Sequence, residues 1–186
     1  MYILLAAKMP IGGLVLIILV VLAIVVGNVV YNLKGKQGNK MKTKAKYDFA
    51  SNLFRRKIAV SADNVSEAYT KKCIDFFQNM DEETVSSLAK QANEYYREYS
   101  IIGNVSNVKM PNDVEGKDIL KWIYPKVMWI GNDEGQPKKM EFIVECECEW
   151  EPEHGLEIVV YDRRIIHIGT YDGDIEYWKE EYFNQK

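Results

Sequence analysis

The feature that most limits what this chain can become is a run near its start. From Met9 to Leu33, 25 consecutive residues contain no Asp, Glu, Lys or Arg, and most are Val, Ile or Leu. A helix rises about 1.5 Å per residue, so Ile11–Leu33 is long enough to cross a hydrocarbon core of about 30 Å with some tilt. The sequence therefore predicts a transmembrane anchor over residues 1–33. A cleaved signal peptide would need a basic start, a shorter apolar stretch and a small-residue exit. Here only Lys8 precedes the run, and Gly27-Asn28-Val29-Val30 supplies no such exit.

Charge beside the run gives it a direction. From Lys34 to Lys57 there are nine Lys and Arg against Asp48 alone, a net of +8. Short basic flanks are retained on the cytoplasmic side, so the expected placement is a single-pass protein of the cell membrane with its C-terminal domain in the cytoplasm. Residues 34–57 read as a basic juxtamembrane linker, since Gly35, Gly38 and Asn39 sit among charges with few apolar residues before Tyr47. Next to anionic lipid such a tether gains about 1 kcal/mol per basic residue, which makes a lipid-reading membrane scaffold one of the alternative roles.

The remaining stretch, 58–186, holds 14 basic and 26 acidic residues, a net of −12. A surface of that sign is repelled by phosphate backbones, which argues against nucleic-acid binding and for a basic protein partner. The chain has only three Cys, Cys73, Cys146 and Cys148, which suits a reducing compartment and excludes a disulfide scaffold.

Periodicity sets the expected fold of this domain. Asn64 with Glu67 three residues on reads as a capping-box start, and Tyr69, Cys73, Phe76, Phe77 and Met80 then share one helical face. Asp81 starts a second helix with Val85, Leu88, Ala89, Ala92, Tyr95, Tyr96 and Tyr99 on its buried side. Val114–Ile123 reads as a short helix. A strand follows from Tyr124 to Ile130, and beyond it Phe142, Val144, Cys146, Cys148 and Trp150 alternate with Glu141, Ile143, Glu145, Glu147 and Glu149. That pattern is a strand with one apolar face and one wet ladder of carboxylates. Leu156, Ile158 and Val160 resume the inward set, Asp162-Arg163-Arg164 turns the chain into Ile165–Ile168, and Ile175–Lys186 reads as a last amphipathic helix. The expected architecture is α+β: the N-terminal transmembrane helix, then a helical hairpin packed on a three- to four-stranded antiparallel meander.

Chemistry has few places to sit. Cys146, Cys148 and His154 are ligand types that suit zinc, but their spacing fits no standard knuckle and both thiols fall on the apolar face. Neither a metal nor a cofactor is expected. Glu153 and His154 form an acid and base pair on paper, with Asp162 or Asp172 to orient the imidazole, which is the basis of an alternative hydrolase reading. No recognisable nucleophile or phosphate loop accompanies them, and no catalysis is expected. His167, alternating with apolar residues, reads as a structural histidine.

Cys148-Glu149-Trp150-Glu151-Pro152-Glu153-His154-Gly155-Leu156 resembles the motif of an uncharacterised bacterial domain family, in which a strand ends in W-D-x-E-H-G-L and a second strand follows. Trp150, Glu153, His154, Gly155 and Leu156 match it, Glu151 stands where the family has Asp, and Arg163-Arg164 replaces a common Asp-Gly turn. The looser likeness runs from Ala68 to Gly173. Members of that family look like immunity proteins of bacterial toxin systems. The resemblance therefore implies a binding protein and carries no catalytic residue to this chain. The candidate motif is Trp150, Glu153, His154 and Gly155, and the candidate binding face is Glu141, Glu145, Glu147 and Glu149.

Overall fold

Alternation at period two and apolar stripes at helical spacing build two kinds of surface, and the chain closes one on the other. The computed structural model describes residues 47–102, 114–131 and 136–185. In chain order these hold strands β1 (Tyr47–Ser51) and β2 (Arg56–Ala62), helices α1 (Glu67–Gln78) and α2 (Glu82–Ile102), and a 3-10 helix (Gly116–Trp122). Strands β3 (Ile123–Ile130), β4 (Glu141–Cys148), β5 (Leu156–Tyr161) and β6 (Arg164–Gly169) follow, then helix α3 (Ile175–Asn184).

The six strands form one sheet in sequential order, β1 to β6. Neighbours are antiparallel except β2 and β3, which run parallel with Val60 opposite Met128. A parallel pair needs a long crossover, and α1, α2 and the 3-10 helix lie within that connection. This corrects the expected architecture: the sheet is mixed and six-stranded instead of a three- to four-stranded meander, and two strands precede the helices. The physical reason lies in β1 and β2. Their charged residues point away from the core, with Lys57 reaching Asp48 at 2.8 Å and the Arg56 guanidinium 4.1 Å from the centre of the Tyr124 ring, while Phe49, Ile58 and Val60 are buried. Residues 47–57 of the expected linker thus lie in β1, its turn and the start of β2. The membrane helix expected within residues 1–33 lies outside the described residues, and among those described no helix is long and apolar enough to cross a membrane.

The inner sheet face takes α1 and α2. Phe76 and Phe77 meet the Phe142 ring at 6.3 and 6.1 Å, edge on, and Phe77 also stacks on Phe54 at 5.9 Å. Phe77, Leu88, Val144 and Ile158 are fully buried, each stabilising the fold by about 1.5–3 kcal/mol. The helix starts differ in one detail from the sequence pattern. Ser66, two residues beyond Asn64, caps α1, its hydroxyl accepting from the Tyr69 amide at 3.3 Å, while Asn64 takes a left-handed φ of 55° in the entry turn. Asp81 caps α2 as its position implies, accepting from Thr84 N at 2.8 Å.

The outer face carries α3, capped by Asp174. Lys179 reaches Glu141 at 3.0 Å and Trp178 Nε1 donates to Glu157 at 2.7 Å, while Phe183 meets Tyr161 edge on at 5.7 Å. The carboxylate face expected to be wet is therefore partly covered: Glu141 and Glu157 are buried beneath this helix.

Candidate functional site

The motif turn follows β4 directly and is built inward. Trp150 is 1% exposed and its indole lies against Tyr95 and Tyr96 of α2, at 6.2 and 5.7 Å and both near 64°. Such edge-on aromatic pairs add about 0.5–1.5 kcal/mol beyond their buried area. Gly155 has a φ of +71°, and a Cβ built there would stand 2.3 Å from the Cys146 carbonyl oxygen. Only glycine meets both conditions at once.

Between them Glu151, buried, closes the turn on itself. One carboxylate oxygen accepts from the His154 amide at 3.2 Å and lies 3.0 Å from His154 Nδ1. Burial pushes this carboxyl up, but hydrogen bonds from the Tyr99 hydroxyl and from the His154 ring and amide outweigh it and hold it below the usual carboxylate range. His154, its side chain 62% exposed, pairs with Glu151, and Glu153 is exposed. A carboxylate orienting an imidazole supplies two of the three members of a catalytic triad. The hydroxyl on the other side of this carboxylate belongs to Tyr99, and by donating to Glu151 it is pushed up to about 12, which makes it a poor nucleophile. Sequence reasoning missed Glu151 and Tyr99. The signal was the carboxylate at Glu151 itself, since an acid at such a position can accept from a turn amide.

The thiols read as core. Cys73, Cys146 and Cys148 are free and buried. Burial pushes Cys73 and Cys148 up to about 12 and Cys146 well above the ordinary thiol range. Among the described residues no group of three or more His, Cys, Asp or Glu is placed to hold a metal ion.

Each of the four ladder carboxylates has a partner inside the molecule. Glu141 is paired with Lys179, Glu145 accepts from Trp129 Nε1 at 3.0 Å, Glu147 pairs with Lys126 at 2.8 Å, and Glu149 accepts from the Tyr124 hydroxyl at 2.8 Å. The structure thus distributes the expected binding face among ion pairs and aromatic donors, and only Glu147 remains exposed.

A second polar cluster lies under α3, around the buried Glu157 of β5. Its carboxyl accepts from Gly173 N at 2.9 Å and Trp178 Nε1 at 2.7 Å. Burial first, then the negative charge of Asp172, raise it to about 7 despite those donors. His167 stacks on Trp178, ring centres 3.3 Å apart, and burial lowers its imidazole to about 4.

A six-stranded mixed sheet with helices on both faces, closed by a self-capped turn and carrying no assembled nucleophile among the described residues, defines a small α+β domain. Residues 29–175 match the family described as a domain of unknown function (DUF6985), and the chain belongs to that family. No curated protein and no solved structure matches it.

Proposed function

We propose that this domain is a protein-binding module that acts without catalysis, and that its partner is a basic protein neutralised in the manner of a toxin by its immunity protein. The observation that carries this reading is the surface of α3. Tyr177 and Phe183 stand 48% and 53% exposed among Glu176, Glu180 and Glu181. Aromatic residues are enriched at protein interfaces, and surrounding charge of one sign speeds encounter with a partner of the other. The inward use of Trp150, Glu151 and Gly155 supports the same reading, because the motif then serves the fold that presents this surface.

The test uses the full chain and its His154→Ala variant, with the purified product of an adjacent reading frame that encodes a secreted toxin. The expected result is binding and growth protection by both proteins alike. Failure of the parent chain to bind overturns the reading. So does a His154→Ala variant that folds and binds yet no longer protects, since that outcome assigns the imidazole a chemical step.

A further inference from the structure

Beside α3 the sheet ends. β6 is the last strand in the order, and among the described residues no strand pairs with its outer side. An edge strand leaves a row of backbone donors and acceptors facing outward, the template that an added strand uses. Natural domains usually protect such an edge. Here Gln91 Nε2 donates to the Ile165 carbonyl at 3.2 Å, and the hydroxyls of Tyr95 and Thr170 lie 3.0 Å apart, so side chains of α2 close the two ends. Between those closures, Ile166, His167 and Ile168 line a groove of about 380 Å³ whose walls come from α2 on one side and α3 on the other.

The walls have one sign. Glu94 and Glu98 of α2 and Glu181 of α3 line the groove, with Tyr95 and Trp178, and no Lys or Arg is among the described residues that line it. An edge strand facing a helix across a groove is the geometry in which extended peptides add to a sheet, with main-chain bonds giving affinity and alternate side chains giving specificity. Three carboxylates around it select the charge of what enters, and the aromatic walls suit a cation placed over a ring. The same charge disfavours a second copy of this chain, which would set Glu94 and Glu98 against their own counterparts.

We propose that this groove binds an extended peptide segment bearing Lys or Arg at alternate positions, which pairs with β6 as a seventh strand. The inference rests on the reading of the domain as a protein-binding module and names the surface and the chemistry of what it binds.

The test is fluorescence anisotropy of the full chain with a labelled eight-residue peptide alternating Lys and Val. Matched peptides carry Glu in place of Lys, or Pro in place of alternate Val. The Lys peptide should bind, about tenfold more weakly in Glu94→Lys and Glu98→Lys variants, and the Glu and Pro peptides should not bind, the latter for want of backbone donors. Asn52→Ala, exposed in the turn after β1 and outside the groove, should leave this binding unchanged. Amide exchange at Ile166–Ile168 should slow when peptide is present. Equal affinity for Lys and Glu peptides, indifference to the charge reversals, or a dimer formed through β6 overturns the proposal. A partner protein that binds the parent and both charge-reversed variants equally removes the groove and leaves the binding reading standing. A partner that binds none of the three proteins, the parent included, removes both readings.

Discussion

Glu157 and His167 carry opposite pH signatures beneath α3, and substituting one should expose the other. The folded carboxyl titrates at about 7 against an ordinary 4.5. The folded state thus keeps a proton that the unfolded chain gives up, so its contribution is fully present below about pH 4.5 and is lost as pH rises through 7. The imidazole titrates at about 4 against 6.5. Its contribution is present above about pH 6.5 and is lost as pH falls through 4. At about 1.4 kcal/mol per unit, the Glu157 limb amounts to about 3 kcal/mol, and the His167 limb to about 2 kcal/mol once its partial exposure is allowed for. Between pH 4.5 and 6.5 the two slopes oppose one another. The difference in unfolding free energy between the parent and Glu157→Gln, measured by urea titration followed by circular dichroism, should therefore fall by about 3 kcal/mol from pH 4.5 to 7. For His167→Phe the difference should rise by about 2 kcal/mol from pH 4 to 6.5. A Glu157→Gln difference that stays constant across this window would mean that the buried carboxyl is charged throughout, and the reasoning from burial and Asp172 would fail.

Two further outcomes follow from the motif turn and the core. Gly155→Ala should cost about 2–4 kcal/mol, since the new Cβ meets both the left-handed backbone and the Cys146 carbonyl; a melting temperature within a degree of the parent would contradict this. Cys73, Cys146 and Cys148, buried and with thiols pushed far above neutrality, should resist iodoacetamide at pH 8 in the native protein and all react in urea, as mass spectrometry would show.

What could be read from the residues, and what could not, divides by range. Phe142, Val144, Cys146 and Cys148 announce β4 and its inward face because alternation is a local property, and the same holds for the α1 stripe of Tyr69, Cys73, Phe76 and Phe77. β1 and β2 are hidden because they follow a Lys-rich run and have Arg55, Arg56 and Lys57 between or at their ends, with only Phe49, Ile58 and Val60 of the two strands marking the apolar buried side. The parallel register of Val60 with Met128 joins residues far apart in the chain, and no local pattern encodes it. The candidate face reads as wet from the sequence and is partly covered in the structure for a similar reason. Glu141 and Glu157 become interior when Lys179 and Trp178 of the last helix arrive over them, and nothing on β4 or β5 alone foretells that. In the motif turn, Trp150 and Gly155 were visible as types, whereas the pairing of His154 with Glu151 instead of Glu153 depends on how the turn winds.

The position of β3 in the sheet bears on how this polypeptide tolerates cutting. One flank of β3 is zipped to β2 and the other to β4, so a protease nick or an expression boundary placed at Ile58 would strip away the first hairpin strand and fray the second. Trp129 and Val127 would then border a raw seam, and molecules trimmed in this way would be prone to stick to one another along it.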